Sequence, residues 1–103
     1  MLKELLRGEV SQKDVLNYYN ANITYESLPC RIYGLVVNIK GIYNIFINKS
    51  LSYYKKRKTI LHELAHIELN HMCQYDKDLF AFHIQDYEDE ADRYIKDLIN
   101  GGL

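Results

Sequence analysis

Tryptophan is missing from this 103-residue sequence, proline occurs once, cysteine twice and glycine five times. Two cysteines, Cys30 and Cys73, cannot build a disulfide framework, and neither belongs to a CxxC pair. That usage points to a reducing compartment, so the expected location is the cytoplasm. No apolar run approaches the roughly 20 residues that a membrane span requires. The opening Met1-Leu2-Lys3-Glu4-Leu5-Leu6-Arg7-Gly8 has no long apolar core and carries Glu4, so it does not read as a signal peptide. A bulk excess of one charge is also lacking. Thirteen Lys and Arg face 14 Asp and Glu, for a net charge of −1. That balance disfavours nucleic-acid binding through overall basicity. No repeat or low-complexity linker divides the chain, and its length suits one domain, residues 1–103.

What is present suits a folded core: 48% apolar and 26% charged residues. Ten tyrosines supply half-buried or interfacial aromatics. Leu2, Leu5 and Leu6 share one side of a short helix that Gly8 can close. Ser11 and Asp14 have capping-box spacing and open a second helix bearing Val15, Leu16 and Tyr19, which ends near Asn20 to Asn22. Pro29 breaks the chain. Residues 32–39 and 42–47 are β-branched and aromatic, and Lys40-Gly41 between them predicts a tight hairpin. Ser50 or Ser52 can cap a long helix running to Met72 or Cys73. A loop with short helical pieces is expected around Asp76 to His83, then a last helix from about Asp86 to Ile99. Helices, hairpin, helices make the class α+β.

The charges are segregated. No acid occurs between Glu26 and Glu63, while Arg31, Lys40, Lys49 and the run Lys55-Lys56-Arg57-Lys58 fall there. Residues 86–92 hold Asp86, Glu88, Asp89, Glu90 and Asp92. The basic run reads as a solvated face or as a docking patch for an acidic partner.

Residues 62–66 read His62-Glu63-Leu64-Ala65-His66, an HExxH motif inside a helical pattern. On a helix, His62 and His66 lie about 40° apart and Glu63 about 100° from His62. Two imidazoles one turn apart can share one Zn²⁺, and the adjacent glutamate can take a proton from the water on that metal. Ile60, Leu61, Leu64, Ala65 and Ile67 cover the other faces. A catalytic zinc needs a third protein ligand and an open position. His71 lies half a turn away from His62. The metzincin spacing would put a third His at Met72 and its turn-forming Gly at Leu69, so that pattern is absent.

The acidic segment is the other source. The last helix has an apolar face at Ala91, Tyr94, Ile95, Leu98 and Ile99, and Glu88 falls within it, whereas Asp89 and Glu90 fall outside. An inward carboxylate needs a partner, and a metal is the natural one. Asp92 borders the same face and can accept an N–H from a ligand histidine.

Thr59 to His66, together with Glu88-Asp89-Glu90-Ala91-Asp92-Arg93-Tyr94, resembles the ImmA/IrrE family of small HExxH metallopeptidases, which are minigluzincin-like zincins. The resemblance spans roughly residues 30–99. It implies a small zincin-like domain: a short antiparallel hairpin packed on an HExxH helix and a C-terminal Glu-bearing helix. It also implies one Zn²⁺ per chain held by His62, His66 and Glu88, with Glu63 as catalytic base. Asp92 stands where the family usually has Asn, and the family's Leu-Met-Pro after that helix is absent. Such proteins are often encoded on phages and integrative elements, and some cleave a helix-turn-helix repressor.

The expected reaction is therefore peptide hydrolysis of a specific protein substrate, with no direct nucleic-acid or membrane partner. Tyrosine or His83 is a candidate oxyanion donor. The hairpin could offer an edge strand to an extended substrate. Two other readings stand beside it: a non-catalytic zinc module for protein interaction, and a toxin-like partner in a toxin–antitoxin operon.

Overall fold

The computed structural model describes residues 1–73, 79–84 and 90–100, with side chains described for 1–69 and 93–100. The element order is α1 (Leu2–Leu6), α2 (Gln12–Tyr19), β1 (Ala21–Glu26), β2 (Ile32–Ile39), β3 (Ile42–Asn48), α3 (Tyr53–Cys73), β4 (Leu79–Ile84) and α4 (Glu90–Ile99). The class is α+β, as the residue pattern implies.

Local signals behave as the sequence predicts. Asp14 N donates to Ser11 Oγ over 3.1 Å and Ser11 N donates to Asp14 Oδ2 over 3.0 Å, completing the capping box of α2. Asn20 ends that helix in the left-handed region, at φ 56°. Lys40 and Gly41 both have positive φ, 51° and 84°. That is the twist a two-residue hairpin needs, and glycine supplies it without Cβ strain. The Gly41 N–H donates to Asn38 Oδ1 over 3.0 Å and fastens the turn. Ser52 Oγ accepts from Lys55 N and caps α3.

The sheet is larger than a hairpin. Its four strands run in the order β1-β3-β2-β4, with β1 parallel to β3 and the other pairs antiparallel. One strand is not anticipated by the residue pattern and one expectation needs correction. The helix α2 ends at Asn20 as expected, and residues 21–26 beyond it form β1; its pattern is weak because four of its six residues are exposed and just one is buried. Residues 79–84, expected within a loop with helical pieces, form β4, because the open edge of β2 supplies hydrogen-bond partners that local propensity does not reveal. The hairpin strands thus occupy the centre of the sheet. Neither offers a free edge for an extended substrate, since β1 and β4 take both outer positions.

One sheet face packs on α3. Val36, Ile45 and Ile47 meet Ile60, Leu64 and Ile67 in a core that also takes Leu2, Leu5 and Val15. The approach is tight at Gly34. A Cβ there would lie 2.7 Å from Thr59 Cγ2 and 2.9 Å from the Phe46 carbonyl oxygen. Asn48 fixes the entry to α3. Its Nδ2 donates to the carbonyls of Leu28 and Ile32, and its Oδ1 accepts from Ser50 N and Oγ. The basic run closes the same end of the sheet. The Lys55 ammonium sits 5.5 Å from the centre of the Tyr33 ring and Lys56 sits 5.5 Å from that of Tyr25, while Arg57 donates to Gln12. Such cation–π contacts are worth about 0.5–1 kcal/mol at exposed sites.

On α4, Tyr94, Ile95 and Leu98 pack against the core as their spacing predicts. Ile99, assigned to the same face, is instead 65% exposed. It is the last residue of the helix and lies at the margin of the apolar arc.

Candidate metal centre

The third and fourth turns of α3 carry the histidines. Apolar residues at 60, 64 and 67 press this stretch onto the sheet and α1, so the helix is buried on nearly every side between Thr59 and Glu68. His62 and Glu63 are fully buried and His66 is half-buried. The Nε2 atoms of His62 and His66 face each other at 3.1 Å, with ring centres 4.7 Å apart. Two nitrogens on one tetrahedral zinc, each at about 2.0–2.1 Å, stand about 3.3 Å apart. The pair therefore already has close to the bite of a shared metal. Without metal the same separation accommodates one N–H···N hydrogen bond, whose direction depends on the tautomers. The donor set and its spacing fit zinc.

Glu88, the expected third ligand, lies outside the described residues, as do Asp86 and Asp89. Glu90 begins α4 and Asp92 lies in its first turn, but the side chains of both are outside the described set. The same holds for His71 on α3 and His83 on β4. Among the described residues no group of three His, Cys, Asp or Glu side chains comes together around one point.

Sequence reasoning missed Glu68. It is 7% exposed, and its carboxylate collects donors from three other helices. Oε1 accepts from Leu2 N at 2.8 Å, from the Met1 amino group at 3.0 Å and from the Tyr19 hydroxyl at 2.8 Å. Oε2 accepts from the Tyr94 hydroxyl at 2.7 Å. Burial alone pushes the Glu68 pKa up. The bonds from Leu2, Tyr94, the amino group and Tyr19 outweigh it and hold the carboxyl below the usual range. Burial and the Glu68 charge push both tyrosine hydroxyls well above theirs. A signal for Glu68 exists in the sequence: it continues the stripe Ile60, Leu64 at four-residue spacing, so an acid stands on the core-facing line. An acid on an apolar stripe, the feature by which the residue pattern singles out Glu88, singles out Glu68 on α3 as well.

Residues 16–94 match the profile of a peptidase family described as the IrrE N-terminal-like domain. The chain belongs to that family. The match takes in the whole sheet, the HExxH helix and the acidic segment, and ends on Tyr94. Members of the IrrE N-terminal-like family are in general zinc metallopeptidases, and the domain is metallopeptidase-like. No curated protein and no solved structure matches the chain significantly.

Proposed function

We propose that this IrrE N-terminal-like domain is a zinc-dependent endopeptidase that acts in the cytoplasm on a specific protein, such as a helix-turn-helix repressor of a phage or mobile element. The observation that carries the reading is the facing His62 and His66 nitrogens, with Glu63 buried beside them on the same helix. No described helix is long and apolar enough to cross a membrane, which accords with that location.

His62, His66 and Glu88 would hold the zinc, and Asp92 would orient a ligand histidine by accepting its N–H. When bound, zinc acidifies water toward a pKa of about 7 and polarises a peptide carbonyl. Glu63 then accepts the proton of the attacking water and passes it to the leaving amine. A purely structural zinc site has no use for such a base, which favours catalysis over the non-catalytic alternative. The core position of the hairpin removes it as a docking strand, so an extended substrate would have to add at β1 or β4.

The test is to incubate zinc-loaded protein with the repressor encoded beside its gene and to look for one specific cut. The cut should be absent with Glu63→Gln. An intact repressor would overturn the substrate assignment, and failure to bind zinc would overturn the catalytic reading.

A further inference from the structure

Glu68 is shared by groups on opposite sides of the functional question. Its Oε1 binds α1 and α2, through Leu2 and Tyr19. Its Oε2 binds α4, through Tyr94, with no other donor among the described residues. The carboxylate is two residues beyond His66 on a helix whose rotation is fixed by its core, so it moves with the histidines as one body. Tyr94 ties that body to α4 through a polar contact, beside the apolar side chains Ile95 and Leu98 that pack against the core. Apolar contacts resist separation but tolerate sliding. A hydrogen bond to a charged, buried acceptor fixes the offset between two helices, because it weakens steeply with distance and angle. The helix α4 begins at Glu90, two residues after Glu88 in the chain. Its offset along α3 therefore limits where Glu88 can reach.

We propose that Tyr94 is a positioning residue for the metal centre: through Glu68 it sets the register of α4 on the HExxH helix, and with it the delivery of the third ligand. This rests on the zinc reading above. Tyr19 provides an internal comparison, since it donates to the same carboxylate over nearly the same distance, 2.8 Å, but belongs to α2. A bond that merely stabilised the fold would make the two tyrosines equivalent. A bond that positions α4 makes them different.

The experiment compares the full chain with Tyr94→Phe and Tyr19→Phe. Zinc affinity is read by competition with a chromophoric chelator, and thermal stability is read without metal. Both variants should lose stability. Tyr94→Phe should also weaken zinc binding by about tenfold, the lower end of what lost outer-shell partners cost, whereas Tyr19→Phe should stay within about twofold of wild type by the same scale. Equal zinc affinities in the two variants, whether both weakened or both unchanged, would overturn the proposal. Wild-type protein that binds no zinc would overturn the metal reading itself, and this proposal with it. Hydrogen exchange on the wild-type chain gives a check that needs no variant. Coupling is reciprocal, so saturating zinc should slow amide exchange over residues 95–99 of α4 more than over residues 15–19 of α2. Equal protection of the two helices would also overturn it.

Discussion

Gly34 on the central strand β2 lies hard against Thr59 on the HExxH helix, where a Cβ on residue 34 would fall 2.7 Å from Thr59 Cγ2. Thr59 stands one turn before His62, so this contact sets how deeply the histidine-bearing turns sink onto the sheet. The second neighbour of such a Cβ is a backbone atom, the Phe46 carbonyl oxygen, which cannot rotate away. Gly34→Ala should therefore destabilise the fold by about 1–3 kcal/mol, the usual range for overpacking. The midpoint of urea unfolding would show it. An unchanged midpoint would mean that α3 can lift off the sheet without penalty.

Purified protein should carry one zinc per chain. Glu88→Ala should lose it and Glu90→Ala should keep it, as measured by elemental analysis after gel filtration. If both keep zinc, the third ligand is a different residue. His62→Ala and His66→Ala should each lose it as well, since each removes one side of the 3.1 Å pair.

Glu63→Gln should bind zinc normally and lose proteolysis. General-base groups contribute typically about 10²- to 10⁴-fold, so the residual rate should fall by at least that lower factor. Cleavage at the wild-type rate with zinc in place would remove Glu63 from the assigned role.

The capping box of α2 should titrate. Hydrogen bonds from the Ser11 backbone and side chain hold the Asp14 carboxyl below its ordinary value of 3.8. A depressed folded-state pKa means that the contribution is complete above the unfolded value and is lost as pH falls through the folded one. The Asp14 carboxyl resonance should therefore titrate below 3.8 in the intact protein. It should move up in Ser11→Ala, which breaks one arm of the box and costs about 1 kcal/mol of helix stability. An Asp14 titration unaffected by Ser11→Ala would contradict the cap.

The elements readable in the sequence are those whose cause is local. Ser11 and Asp14 lie three residues apart, Lys40 and Gly41 are adjacent, and His62 and His66 are one helical turn apart. Each pattern carries its geometry within a few residues, so the hairpin, the helix start and the facing imidazoles follow from the residue order itself. The sheet is different. β1 runs parallel to β3 from some twenty residues away, pairing Ala21 with Tyr43 through Glu26 with Asn48. β4 adds to β2 from the far side of α3. Parallel pairing and edge addition leave little local signature, because the stabilising partner is remote in the chain.

The same division runs through the site. The sequence alone determined the chemistry: two imidazoles, a neighbouring carboxylate and an acidic segment able to supply a third ligand, all consistent with membership of a metallopeptidase family. Tertiary structure decided the surroundings. It moved the hairpin to the middle of the sheet, where it cannot accept a substrate strand, and buried His62 and Glu63 completely. It also gathered Met1, Leu2, Tyr19 and Tyr94 around Glu68. The physical reason is that a residue type and a short spacing specify which groups can react, whereas burial and hydrogen bonding across elements exist once distant segments have packed.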